Sequence, residues 1–250
     1  MQLVLSLFPG IGLLDMAFEA EGFCVVQSRD WIMGGDVRNA HFMAGRFDGV
    51  IGGPPCQAFS RLAHMVKQNG YEPQFGNLIP DFERVIAEAA PQWFIMEEVP
   101  DSPRPHVPGY DNHEFTLNNR QCLDEDGTAA EQNRVRAITF GYRGRRRVLM
   151  IETAALHNIR YEYAAVGGST GREIPLKIGG SGKAKKSLSR MPFNTKSAAA
   201  AQELCRKQGL DPAITDRLPF RKDALCKAVG NGVPLPMGRA IARAVKEATE

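Results

Sequence analysis

An apolar strand that runs straight into a glycine turn and then a helix opens this chain. Leu3–Leu7 is followed by Phe8-Pro9-Gly10-Ile11-Gly12, and Leu13–Glu21 carries the spacing of an amphipathic helix. The pattern recurs downstream. Cys24–Gln27 reads as a second strand, and Asp48–Ile51 as a third that halts at Gly52-Gly53-Pro54-Pro55. Ile79–Ala89 is helical by pattern, and Trp93–Met96 is a strand delivering Glu97. Strands alternating with helices imply an α/β fold, a mostly parallel sheet covered on both faces. Ligands of such sheets bind beyond the carboxyl ends of the strands, so chemistry is sought in the residues that follow them.

The rest of the chain is less regular. Residues 100–121 are rich in Pro, Asn and His and read as a long loop. Val135–Phe140 and Val148–Thr153 read as strands, joined as a hairpin across Gly141–Arg147. Residues 154–210 show little periodicity, and Pro234–Ala248 is a C-terminal helix. A length of 250 residues accommodates one α/β domain and a small appendage. The expected division is a catalytic segment 1–153, a small region 154–215 and a segment 216–250 that returns to the first. No apolar run is long enough to span a bilayer and Met1 begins no secretory signal, so no membrane partner is expected. The five cysteines are odd in number and form no Cys-x-x-Cys pair, which argues against a disulfide framework and a structural zinc site. A reducing intracellular setting fits, and no metal is expected.

Charge is distributed unevenly. Residues 1–150 hold 14 Lys and Arg against 19 Asp and Glu, whereas residues 151–250 hold 17 against 9. A basic half joined to an acidic one suits a polyanion-binding surface. Arg145 and Arg146 in Gly141–Arg147, and Lys185 in Lys183–Lys186, are the candidates for phosphate contacts.

Five constellations carry chemistry. The turn Phe8–Gly12 lets a ligand approach the backbone at a helix N-terminus. After the second strand, Asp30 is placed to bind ribose hydroxyls, Trp31 offers a face for a purine, and Asp36 follows shortly. Cys56 sits on a Pro-flanked loop beyond a strand end, with polar Gln57 and Ser60 close by, a setting for a nucleophile rather than core filler. Glu97 and Glu98 are adjacent acids that cannot both be comfortably buried, so at least one needs a partner or a function. Gln132-Asn133-Arg134-Val135-Arg136 puts two arginines on one strand face.

Together these pieces resemble the DNA (cytosine-5) methyltransferase family. Phe8–Gly12 is similar to its cofactor loop, Gly53-Pro54-Pro55-Cys56-Gln57 to its nucleophile loop, Glu97-Glu98-Val99 to its Glu-Asn-Val motif and Gln132–Arg136 to its Gln-x-Arg-x-Arg motif. Ala228-Val229-Gly230-Asn231-Gly232-Val233-Pro234 is similar to its Gly-Asn-x-Val-Pro motif. The resemblance implies a Rossmann-like S-adenosylmethionine-dependent fold, with a small target-recognition region in the unmatched stretch near 154–215. It implies Cys56 as the nucleophile that adds to cytosine C6, Glu97 as the group contacting N3, and Arg136 supported by Arg134 as holders of the base and its loop. Phe8, Gly10, Ile11, Gly12, Leu13, Asp30, Trp31, Asp36, Pro55, Leu78, Asn231 and Val233 are the implied cofactor contacts. Gln57, Ser60, Arg145, Arg146 and Lys185 are the expected DNA contacts. Double-stranded DNA is the expected partner of a monomeric, intracellular enzyme of bacterial or phage origin. An RNA cytosine-5 methyltransferase on the same scaffold is the alternative, followed by a catalytically silent DNA-binding relative.

Four departures stand out. Glu98 replaces the motif's asparagine, only five residues separate Asp30 from Asp36, Phe75 stands where an arginine is usual, and the recognition region is small. None removes Cys56, Glu97 or Arg136.

Overall fold

Six strands form one sheet in the order β2-β1-β3-β4-β7-β5. The computed structural model describes residues 1–56, 59, 75–123, 127, 130, 132–153, 162–163 and 198–250. The strands are β1 (Leu3–Leu7), β2 (Cys24–Gln27), β3 (Gly49–Gly52), β4 (Trp93–Glu98), β5 (Tyr110–Asn118) and β7 (Val135–Arg143). A separate pair joins β6 (Gln132–Asn133) to β8 (Glu162–Tyr163). β1 to β4 run parallel, and β7 lies antiparallel between β4 and β5. The carboxyl ends of β1, β3 and β4 therefore open on one edge of the sheet, which is where the expected motif loops begin.

Helices α1 (Leu13–Ala20), α2 (Ile79–Ala89), α3 (Ala198–Lys207), α4 (Lys222–Asn231) and α5 (Leu235–Thr249) cover the sheet. On one face α5 lays Met237, Ile241 and Val245 against Val4, Ile95 and Phe140. On the other, Phe82, Val85 and Ile86 of α2 pack with Leu5, Val50 and Phe94. No helix among the described residues is long and apolar enough to cross a membrane.

Two expectations change. Residues 110–118, read as loop, are the edge strand β5, which pairs with β7 along its whole length. Val148–Thr153 is not a strand among the described residues, so there is no hairpin across Gly141–Arg147; Leu149 is instead anchored by its N–H donating to His113 Nδ1 at 3.1 Å. Helix α3, within the stretch assigned to target recognition, packs Ala201, Leu204 and Cys205 with Leu13, Ala17 and Val229.

Candidate active site

The turn after β1 is shaped by backbone conformations that favour glycine. Gly10 and Gly12 have φ of 58° and 81°, and the Gly12 N–H closes the turn on the Pro9 carbonyl at 2.7 Å. Phe8 adopts a φ of 56° without being glycine, a conformation that surroundings must enforce and that gathers at functional sites. Asp30 ties this turn to the end of β2: its carboxylate accepts from the Gly10 N–H at 3.1 Å and from the Ile32 N–H at 2.9 Å. Trp31 beside it is 55% exposed and meets the ring of Phe75 edge-on at 5.3 Å.

Beyond these strand ends lies a small pocket lined by Ser6, Leu7, Phe8, Pro9, Leu13, Leu14, Asp15, Gly53, Glu97, Asn231, Gly232 and Val233. It unites the first turn, the approach to the cysteine loop, the acid of β4 and the Gly-Asn-Gly-Val segment. Of the expected cofactor residues, Phe8, Leu13, Asn231 and Val233 line it. Ile11 packs against the α1–α3–α4 cluster, while Leu78 lies in the same apolar cluster as Phe8. Pro55 is half-buried in the cysteine loop. Asp36 is committed to its own neighbour. Both of its oxygens engage Arg38, at 2.6–3.0 Å, and it caps the short turn Val37–Asn39. Hydrogen bonds from Arg38 hold the Asp36 carboxyl below the usual range.

The acids of β4 are both buried, Glu97 to 8% exposure and Glu98 to 2%. Glu97 finds a cation, its Oε1 lying 2.8 Å from Arg136 Nε, an ion contact without hydrogen-bond alignment. Gly53 makes room for this carboxylate, since a Cβ there would sit 3.1 Å from Glu97 Oε2. Glu98 has no such cation among the described residues. Arg134 reaches elsewhere: its guanidinium donates to the carbonyls of Gly230 and Gly232, both at 3.2 Å, fixing the segment around Asn231. Burial depresses Arg134 to about 9, so it stays cationic at neutral pH. Arg136 donates to the Val135 carbonyl at 2.7 Å while facing Glu97.

Cys56 is half-buried at the start of its loop, and its carbonyl accepts from the Phe59 N–H at 3.0 Å. Glu98, Glu97, Arg136 and Arg134 all act on its thiol electrostatically, which gathers the expected catalytic residues at one place. Burial pushes the Cys56 thiol up, Glu98 and Glu97 add to this, and the two arginines oppose it. Cys122, Cys205 and Cys226 are buried in the body of the fold.

The expected DNA contacts fare differently. Gln57, Ser60 and Lys185 lie outside the described residues. Arg145 and Arg146 are exposed but follow the far end of β7, where Tyr142 pairs with Trp93 at the start of β4; Glu97 pairs with Ile138 near its other end. The five residue steps from Ile138 to Arg143 span about 17 Å, which sets this arginine cluster at the opposite edge of the sheet from Cys56. Arg147 there stacks over Tyr142 at 4.7 Å and donates to the Ala248 carbonyl.

Two polar residues went unmarked in the sequence. Asp15 is 2% exposed on α1, accepts from Gln27 Nε2 at 2.7 Å through Oδ2, and leaves Oδ1 without a well-aligned donor. Burial raises its carboxyl, with Ser6 and Gln27 opposing. An acid among Leu13, Leu14, Ala17 and Phe18, all buried, was the available signal. Gln208 is fully buried and donates to the carbonyls of Val229 at 2.7 Å and Gly232 at 2.9 Å; Gln132 donates in turn to Gln208 Oε1 at 3.1 Å. Nothing local in the sequence marks it.

The model of the C-5 cytosine-specific DNA methylase family matches residues 32–160, just over half of the chain. Among curated relatives, the type II methyltransferase M.AquIA of Picosynechococcus is 31% identical over 121 residues, covering 38% of this chain and 48% of that protein. M.NgoPII of Neisseria gonorrhoeae is 29% identical over 114 residues, covering 38% of this chain and 33% of that protein. The match thus spans a third to a half of those relatives. In fold, the chain is similar to the Entamoeba histolytica methyltransferase EhMeth, with a TM-score of 0.59, 11% identity and coverage of 100% of this chain and 99% of that one. The Schizosaccharomyces pombe methyltransferase Dnmt2 gives a TM-score of 0.59 at 13% identity, covering 99% of both. With more than half of its residues matched by that model, the chain belongs to the C-5 cytosine-specific DNA methylase family.

Proposed function

We propose that this protein transfers a methyl group from S-adenosylmethionine to C5 of cytosine in double-stranded DNA, through a covalent bond from Cys56 to C6. The observation that carries this reading is the convergence of Cys56, Glu97 and Arg136 beside a pocket bounded by the Phe8–Gly12 turn and Asn231–Val233.

The pocket's residues fit the cofactor. Asp15 Oδ1, buried and short of a donor, suits an ammonium group, and Phe8 and Leu13 supply apolar wall. The exposed ring of Trp31 suits a purine, and Asp30 holds the turn that shapes the entrance. When bound, S-adenosylmethionine supplies an electrophilic methyl group on a sulfonium. The protein's own residues must make cytosine C5 nucleophilic. The Cys56 thiolate adds to C6 and the ring becomes an enamine. Glu97, held by Arg136, is the group available to hold a proton at N3 as that charge develops. Once C5 carries the methyl group, loss of its proton and elimination of Cys56 restore the ring. The target carbon is shielded in a duplex, so the base must leave the stack, at a cost of a few kcal/mol.

Duplex DNA containing 5-fluorocytosine tests the reading, because fluorine blocks the loss that releases Cys56. With S-adenosylmethionine present, the wild-type chain is expected to become covalently trapped and Cys56→Ala is not. Trapping on RNA in place of DNA would move the substrate to the alternative reading. Trapping on neither, by a folded chain that binds the cofactor, would refute the proposal.

A further inference from the structure

Glu98 stands where the family motif carries a neutral asparagine, and its surroundings suit a neutral group. The residue is 2% exposed at the end of β4, opposite Ala137 of β7. One oxygen, Oε2, accepts from the N–H of Val99 at 2.6 Å; the other, Oε1, is buried with no hydrogen-bond partner among the described residues. The cations near it are committed elsewhere. Arg136 contacts Glu97 and the Val135 carbonyl, and Arg104 donates to Ser102 and to the Pro100 carbonyl. A second carboxylate with no cation of its own, packed beside Glu97, is the costlier arrangement of charge.

We propose that Glu98 is a positioning residue that works as an uncharged carboxylic acid, standing in for the motif's amide, and that its ionisation suppresses the Cys56 thiolate. The charged and titratable groups that face it are Glu97 on its own strand, Arg136 on β7, Arg104 on the loop that follows β4, and Cys56 on the loop after β3. Glu98 and Glu97 both raise the Cys56 thiol, and Arg136 and Arg134 oppose them. Burial first, then Glu97, pushes the Glu98 carboxyl up to about 8, so at neutral pH it holds its proton. Above that pH Glu98 becomes an anion that acts on the thiol, and thiolate formation becomes harder as the solution becomes more favourable to it.

The inference rests on the proposed role of Cys56 for its meaning, but its test needs neither DNA nor cofactor. Alkylation of Cys56 by iodoacetamide, followed by mass spectrometry of the intact wild-type, Glu98→Gln and Glu98→Asn chains, reads thiolate content directly. At pH 6 the three are expected to react alike, because Glu98 is uncharged in the wild type as well. By pH 9 both amide variants should react several-fold faster, up to about tenfold if the Cys56 value differs by one pH unit. That divergence with pH is not what a merely structural change produces, since altered packing changes the rate at every pH. Coincident profiles from pH 6 to 9.5, or a constant ratio across that range, would overturn the proposal. If the profiles diverge as expected yet no fluorocytosine trapping occurs, the proposed function fails while the role of Glu98 stands.

Discussion

At the residue scale, the contacts of Arg134 and the burial of Glu98 give substitutions a definite expected direction. Arg134 spans the carbonyls of Gly230 and Gly232 and so fixes the segment that brings Asn231 to the pocket. Lysine keeps the charge but cannot reproduce a planar two-carbonyl grip. Hydrogen bonds from a charged donor contribute about 1.5–3 kcal/mol each, and losing one corresponds to roughly tenfold in binding. Arg134→Lys is therefore expected to weaken S-adenosylmethionine binding by about tenfold in calorimetry, with little change in the Cys56 alkylation profile. Glu98 makes a second prediction, on stability. Its folded-state value of about 8 exceeds the ordinary 4.5, so the folded chain keeps a proton that the unfolded chain has released. Stability should then fall as pH rises from about 4.5 to 8, and level off beyond. Urea midpoints at pH 5 and pH 8 should show a larger fall for the wild type than for Glu98→Gln; equal falls would mean that Glu98 ionises normally in the folded protein.

At the element scale, α5 approaches α1 so closely that Gly238 faces Ala17 with no room between them. A Cβ on Gly238 would lie 2.6 Å from the Ala17 Cβ. Gly238→Ala improves helix propensity by about 1 kcal/mol, but overpacking a close contact costs about 1–3 kcal/mol. With backbone-bound Cβ atoms this close the clash is expected to prevail, giving a net loss of up to about 2 kcal/mol in urea unfolding. Adding Ala17→Gly should recover part of it, because the pair shares one contact; additive effects would show that the helices simply move apart. How much of these elements was legible depended on where their stabilisation comes from. The buried strands β1, β3 and β4 announce themselves as short apolar runs, and the motif turns follow them directly. β5 did not, because Tyr-Asp-Asn-His-Glu-Phe-Thr-Leu-Asn is a half-exposed edge strand specified by its partner β7 rather than by its own composition. Val148–Thr153 misled for the opposite reason: it is apolar, yet Leu149 alone is buried while Val148 and Met150 are 50% and 76% exposed. Gln208 was illegible because its value lies in carbonyls about twenty residues away in the sequence.

At the scale of the whole molecule, the sheet has two edges with different duties, and charge counting does not distinguish them. Cys56, Glu97 and the pocket lie where β1, β3 and β4 end; Arg143, Arg145, Arg146 and Arg147 lie where β4 begins. Arg147 is already engaged with Tyr142 and with the last turn of α5, where a cation complements the exposed carbonyls. On the proposed function, a short duplex presenting a cytosine to Cys56 would approach the edge opposite these arginines. Each phosphate contact contributes about 0.9 to the slope of log affinity against log salt. If Arg145 and Arg146 both gripped phosphates, as the sequence pattern suggests, replacing both with alanine would lower that slope by about 1.8. The topology leads to the other expectation: Arg145→Ala combined with Arg146→Ala leaves the slope for a short cytosine-containing duplex unchanged within about 0.3, measured by fluorescence anisotropy between 50 and 200 mM salt. A drop approaching two would mean that the DNA wraps from the catalytic edge to the far one. Neither outcome depends on turnover, so the path of the duplex can be mapped even before the target sequence is identified.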